Sequence, residues 1–226
     1  MTAPSHWREC PRRRCHHGYL GLVLDIQLHH NDLPDGLDLG NLVAVDSETM
    51  GLNVSRDRLC LVQLSAGDEA CHLVQFAAGG YDAPNLKGLL GDPSVTKLFH
   101  FARFDLAMIQ RHLGVTCRPA YCTKVASKLA RTFTDRHSLR DLCRELLGVD
   151  LSKQQQSSDW GAAELSDEQL RYAASDVLYL HRLKAILDEM LEREGRRDLA
   201  QACFEFLPAR AALDLAGWDG VDILAH

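Results

Sequence analysis

The sequence predicts an α/β fold, and three observations carry that reading. Short apolar runs separated by turn residues fill residues 42–76, and beyond Pro84 the apolar pattern changes to helical stripes. Hydrophobic residues at 46% and charged residues at 25% match a folded globular chain rather than a disordered, fibrous or coiled-coil one. At 226 residues the chain suits one large domain, or one with a small appendage, and folding at this size buries roughly 70% of the extended chain's surface.

The elements follow in chain order. Within residues 1–20, Arg8, Arg12, Arg13 and Arg14 stand against the single acid Glu9, and the apolar run from Gly18 to Leu24 is cut by Asp25. That run is short for a secretory segment and lacks a small-residue cleavage site. Residues 1–22 therefore read as a disordered extension or a mis-assigned start, with translation beginning near Val23 or Leu24, and Cys15-His16-His17 reads as part of it rather than as a metal tract. Leu42-Val43-Ala44-Val45, Leu59 to Leu64 and His72 to Phe76 read as the first strands, set apart by Asn53, Asp57, Gly67 and Asp68.

Leu86, Leu89 and Leu90 predict a short helix after Pro84, Lys97 to His100 a further strand, and Phe104, Met108 and Leu113 a helix closed by Gly114. Amphipathic helices are expected over 121–131 and 138–147, and Ser166-x-x-Gln169 opens a long helix through Leu191 with a capping box. The expected organisation is one domain over 23–195 and a helical tail over 196–226. No run approaches the ~18 apolar residues of a membrane span.

Composition narrows the function classes. There is no Cys-x-x-Cys pair, and Cys60, Cys71, Cys143 and Cys203 lie in apolar or amphipathic segments, so the thiols read as reduced and buried in a cytoplasmic protein. The 31 Asp+Glu against 25 Lys+Arg give a net charge of −6, which disfavours tight extended binding to a long polyanion. Residues 118–153 differ: Arg118, Lys124, Lys128, Arg131, Arg136, Arg140, Arg144 and Lys153 face four acids there, a local +4 able to border a site.

Three separated carboxylate groups carry the chemistry. Asp46-Ser47-Glu48 ends the first core strand, and a period of two puts Asp46 and Glu48 on one face with Ser47 pointing away. Two acids there repel each other unless a cation joins them. Asp105 sits in the first turn of the helix after His100, where it returns to the same sheet edge, although an acid at a helix start is also favoured by the macrodipole. Tyr172 and Asp176, at i and i+4, share a face of the long helix that Leu170, Ala173, Val177 and Leu180 bury. A buried acid needs a partner, and a salt bridge to Arg103 or Arg171 would be the plain solution. Taken together, four acids and a tyrosine match what a two-metal phosphoryl-transfer site requires.

In this order, Asp46-x-Glu48, Asp105 and Tyr172-x-x-x-Asp176 resemble the DEDD exonucleases of the DnaQ-like superfamily, tyrosine subclass, and within it ribonuclease D. The resemblance covers about residues 26 to 226. Longer stretches, Thr123 to Ser127, Thr134 to His137, Ser152 to Trp160 and Phe206-Leu207-Pro208-x-Arg210 with Leu213-Asp214-Leu215-x-Gly217-Trp218, are similar to the nano-RNase C type of oligoribonuclease. One departure is Phe101, where many members carry Asn.

The resemblance implies a ribonuclease H-like DnaQ exonuclease fold, a mixed sheet flanked by helices. It implies a 3′-5′ exoribonuclease using two divalent cations, Mg²⁺ or Mn²⁺, held by Asp46, Glu48, Asp105 and Asp176. Asp46 would bridge both ions, and Tyr172 would orient the attacking water or assist its deprotonation. Expected substrates are very short single-stranded RNAs, or DNA, released as nucleoside 5′-monophosphates. The short tail after the Tyr172 helix, compared with the helical domains of ribonuclease D, favours short RNA over long. The tail is expected to form a subunit interface in a homo-octameric ring; packing back on its own domain is the simpler alternative.

For substrate contact, Gly51 permits close approach and Leu52 would wedge against bases, with Met50 beside it or in the core. His100, Phe101 and Phe104 would line the pocket, Phe104 fitting a core position equally well, and Lys153 and Gln155 fall in a polar loop near the sugar-phosphate path. The competing readings are processing of longer RNA 3′ ends, a DNA 3′-5′ exonuclease, and a non-catalytic nucleic-acid-binding module, which would be expected to lack at least one of the acids.

Overall fold

Seven strands build one mixed sheet in the computed structural model of the chain, which describes residues 13–16, 23–152, 154, 155 and 157–225. They are β1 (Arg13–His16), β2 (Val23–His30), β3 (Leu42–Thr49), β4 (Leu59–Ser65), β5 (Ala70–Gln75), β6 (Thr96–Phe99) and β7 (Ala120–Cys122), in the spatial order β1-β2-β5-β4-β3-β6-β7. Strands β3, β4 and β5 form an antiparallel meander. Parallel strands extend it on both sides, β2 beside β5 and β6 then β7 beside β3. Every residue of β4 is buried, as the near-continuous apolar run of a strand covered on both faces requires.

The helices are α1 (Pro84–Gly91), α2 (Ala102–Leu113), α3 (Thr123–Ala130), α4 (Leu139–Leu142), α5 (Asp167–Leu178), α6 (Leu180–Arg193) and α7 (Arg197–Leu213). A π-helical turn over Cys143–Leu147 prolongs α4, and another over Asp214–Trp218 prolongs α7. Helix α5 packs across β3, β4 and β5, whereas α7 packs on α2, α3 and β7. The capping box that opens α5 is formed in full: Ser166 accepts from the Gln169 N–H while the Gln169 side chain accepts from the Ser166 N–H.

Three sequence expectations need correction. Val23–His30 is a strand that the apolar-run reading did not identify, because Asp25, Gln27, His29 and His30 interrupt its pattern. The helix expected over 121–131 begins only at Thr123, since Ala120, Tyr121 and Cys122 are buried in the sheet as β7. The single helix expected through Leu191 divides at Tyr179 into α5 and α6. Of the segment read as an extension, residues 13–16 pair antiparallel with β2, and 1–12 and 17–22 lie outside the described residues. Among the described residues, no helix is long and apolar enough to cross a membrane.

The thiols of Cys60, Cys71 and Cys143 are buried and unpaired, as expected, and so are those of Cys117 and Cys122, but Cys203 is only half-buried on α7. Lys97, fully buried in β6, donates all three of its protons to the carbonyls of Asp92, Val95 and Arg118. This satisfies a cation that would otherwise be costly inside the core.

Candidate active site

The alternation of β3 brings Asp46 and Glu48 to one face of the sheet, and α5 lies across that face with Asp176 one turn beyond Tyr172. Carboxylate oxygens of Asp46, Glu48 and Asp176 all lie within 4.8 Å of one another. The β3–β4 register shifts between Glu48 and Thr49, a bulge that bends the strand immediately after the acids. Neither expected arginine partners Asp176: Arg103 pairs with Asp214, and Arg171 pairs with Asp167 and Glu168. Among the described residues, no Lys or Arg forms an ion pair with any of the three.

Clustered acids without a cation raise one another's proton affinity. Burial and the neighbouring Asp176 and Asp105 push Glu48 up to about 9, and burial and Asp105 push Asp176 up to about 7. Asp46 is held well above the usual carboxylate range by burial, then by Asp105, Asp176 and Glu48. An all-oxygen donor set with this uncompensated charge fits a hard divalent cation such as Mg²⁺ or Mn²⁺.

Asp105 stands beside this group rather than within it. It is buried in the first turn of α2, and Ser47, on the opposite side of β3 from Asp46 and Glu48, donates a 2.5 Å hydrogen bond from Oγ to its Oδ1. Burial pushes Asp105 up to about 7, and the Ser47 bond acts against that rise. Tyr172 hydrogen-bonds Asp176, and burial together with Asp176, Glu48 and Asp46 raises its phenol above the ordinary value. Beside these unneutralised carboxylates the phenol holds its proton. Trp160, buried with its ring 6.0 Å from that of Tyr172, backs the phenol.

Sequence reasoning missed Ser47, Trp160 and Gln63 as parts of the site. Gln63, fully buried and opposite Asp46 in β4, places its amide nitrogen 3.5 Å from Asp46 Oδ2. Its signal was a single amide inside an otherwise apolar strand.

Residues 29–192 match the 3′-5′ exonuclease family, a stretch that contains every one of these acids. The chain belongs to the 3′-5′ exonuclease family. Its fold is the ribonuclease H-like DnaQ exonuclease fold. Ribonuclease D of Gluconacetobacter diazotrophicus is 39% identical over 156 residues, which are 69% of this chain and 39% of that protein. The chain spans about two fifths of the length of the curated ribonuclease D relatives it matches. Brucella melitensis NrnC bound to pGG is 56% identical with a TM-score of 0.87, over 90% of this chain and 99% of that one. Brucella melitensis NrnC with bound Mg²⁺ is 56% identical with a TM-score of 0.86, over 89% and 98%.

Around the exonuclease site the expected substrate contacts separate into groups. Leu52 is 85% exposed and Met50 52%, so Met50 is not core, and Phe101 is exposed at the start of α2 with the Lys124 ammonium 4.2 Å from its ring centre. Phe104 is half-buried against the core. His100 bonds Thr123 Oγ1 through Nδ1 at 2.9 Å, and burial, then Lys124, push its imidazole down to about 3, so it is neutral. Gln155 accepts from the Ser158 hydroxyl within its own loop, and Lys153 lies outside the described residues. Of the cations in residues 118–153, Arg131 does not border the site: it is buried and pairs with Glu145.

Proposed function

We propose that this exonuclease is a metal-dependent 3′-5′ exoribonuclease that hydrolyses very short RNAs, dinucleotides to a few nucleotides, to nucleoside 5′-monophosphates. The observation that carries the reading is the convergence of Asp46, Glu48 and Asp176 within 4.8 Å, with no Lys or Arg among the described residues paired to them. Support for short substrates comes from the near-complete coverage of NrnC, whose structure holds pGG, against partial coverage of the ribonuclease D relatives.

Two divalent cations held by Asp46, Glu48 and Asp176, with Asp105 beside them, would supply acidification of water and neutralisation of charge developing on the phosphate. The chain's own residues do the rest. Ser47 fixes the Asp105 carboxylate, and Gln63 lies against Asp46 from β4. Tyr172, hydrogen-bonded to Asp176, orients the attacking water through its phenol oxygen or assists the water's deprotonation. Leu52 and Phe101 offer apolar surface to the terminal bases, and stacking of this kind contributes roughly 1–3 kcal/mol per base.

Hydrolysis of a 5′-labelled RNA dinucleotide, a longer RNA and a duplex DNA with Mg²⁺ or Mn²⁺ tests this. Rapid conversion of the dinucleotide to mononucleotides is expected, with no turnover by Asp176→Ala. Preference for the long RNA or the DNA would overturn the substrate assignment, and near-normal activity of Asp176→Ala would overturn the site. The exposure of Phe206, Trp218 and Ile223 supports reading the tail as a subunit interface in a homo-octamer, although Phe204 and Leu207 pack inward. A native mass of one chain by light scattering would remove that reading.

A further inference from the structure

The helix that carries Asp105 starts without a cap. Phe101, at its N-cap, has φ 67° in the left-handed region, and its side chain makes no capping hydrogen bond. Such a start lacks the stabilisation that a Ser or Asp cap gives. Two tertiary anchors take its place. Ser47 holds Asp105 from β3, and Asp214, 111 residues downstream of Arg103, holds Arg103. Positions 103 and 105 lie about 200° apart around the helix, so the same turn is gripped from two sides.

The second anchor is a built arrangement. Asp214 is buried at the end of α7 and takes the Arg103 guanidinium as a fork, Nε to Oδ2 at 2.5 Å and Nη2 to Oδ1 at 2.8 Å. Arg210 Nη2 lies 3.0 Å from the same Oδ1. Both arginines then reach the turn that follows: Arg103 Nη2 donates to the Asp219 carbonyl at 2.6 Å and Arg210 Nη2 to the Trp218 carbonyl at 2.8 Å. A buried ion pair is often no more stabilising than apolar side chains of the same volume, but a bidentate fork admits a single geometry. The arrangement suits alignment more than stability.

We infer that Asp214 is a positioning residue for Asp105: by fixing Arg103, it sets where the first turn of α2 presents the Asp105 carboxylate to the site. The C-terminal segment thereby belongs to the catalytic apparatus of its own chain. This rests on the exonuclease reading of the site.

The test uses the full chain with Asp214→Asn, and Arg103→Lys as the milder second variant. Two quantities are read: kcat and KM on an RNA dinucleotide, and hydrogen–deuterium exchange of the metal-free protein over residues 101–108 and over β4 as control. Asp214→Asn is expected to lower kcat about tenfold or more while KM stays within about twofold, since misplacing a group at the chemistry acts on turnover. Exchange over 101–108 should accelerate with β4 unchanged, and Arg103→Lys should show a smaller version of both effects. If Asp214→Asn does not fold, Arg103→Lys decides alone. Folded variants with wild-type kcat, or with unaltered exchange over 101–108, overturn the inference. A wild-type protein that hydrolyses no RNA overturns the exonuclease reading instead, and the exchange result still judges the anchor.

Discussion

Ser47 and Asp105 are joined by a 2.5 Å hydrogen bond across 58 residues of sequence, and through it β3 serves three of the four acids of the site. Asp46 and Glu48 lie on one face of the strand, and the residue between them, facing the other way, holds the third carboxylate in place. A hydrogen bond to a charged group contributes about 1.5–3 kcal/mol, so Ser47→Ala should lower kcat roughly 10- to 100-fold. Ser47→Thr, which keeps the hydroxyl, should retain most activity. Single-turnover hydrolysis with saturating metal measures both, and equal rates for Ala and Thr variants would remove Ser47 from the mechanism.

The acid cluster makes the metal-free protein sensitive to base. An unfolded carboxylate titrates near ~4, whereas Asp176 and Glu48 titrate at about 7 and about 9 in the fold. The native state therefore holds protons that the unfolded chain releases. Their contribution is fully present below the unfolded pKa and is lost as pH rises through 7 and 9. The melting temperature of metal-free protein should fall from pH 5 to pH 9, and Glu48→Gln should recover on the order of 2 kcal/mol at the upper end while abolishing hydrolysis. Mg²⁺ should stabilise the wild type more at pH 8 than at pH 6. A wild-type melting temperature that is independent of pH and metal would contradict this.

What the sequence made legible was local. A period of two gives the shared face of Asp46 and Glu48, and i, i+4 spacing gives that of Tyr172 and Asp176, because both follow from backbone geometry within one element. The helix-start position of Asp105 was equally readable. Its partner was not, since Ser47 reaches it through tertiary folding, and Arg103, one of the two partners considered for Asp176, is taken by Asp214. Strand β2 was hidden because polar side chains, including His29, which pairs with His72 of β5, occupy positions where an apolar run was sought.

That histidine pair responds to acid in the opposite direction to the carboxylates. His29 Nε2 lies 3.1 Å from His72 Nδ1 with the rings stacked, and burial, then His72 and His30, push His29 down to about 4. The fold keeps His29 neutral, while the unfolded chain gains a proton near ~6.5, so this contribution is lost as pH falls from 6.5 towards 4. After allowance for solvent screening the loss is ~1–2 kcal/mol. Urea unfolding of His29→Gln at pH 7 and pH 5 should show a smaller drop than the wild type, and identical drops would assign the acid sensitivity elsewhere.

Leu52 is the residue that best separates substrate binding from stability. It is 85% exposed, yet the turn that carries it is tightly fixed. The Asp57 carboxylate accepts from the Asn53 N–H at 2.9 Å and from Arg56 Nε at 2.7 Å, and Thr49 Oγ1 donates to the Gly51 carbonyl at 2.5 Å. Gly51 lies so close to that carboxylate that a Cβ there would overlap it. A fixed turn that leaves a leucine bare is what the proposed contact between Leu52 and a substrate base requires. Leu52→Ala should leave stability within ~0.5 kcal/mol, because an exposed side chain loses no packing. Withdrawing its apolar surface from a base should raise KM for a dinucleotide roughly five- to tenfold, about 1 kcal/mol of binding, with kcat nearly unchanged. Gly51→Ala should behave differently, lowering the melting temperature and KM-limited activity together, because it displaces Asp57 and with it the turn. Steady-state kinetics beside thermal melts of the two variants distinguish these outcomes, and an unaltered KM for Leu52→Ala would reduce Leu52 to ordinary surface.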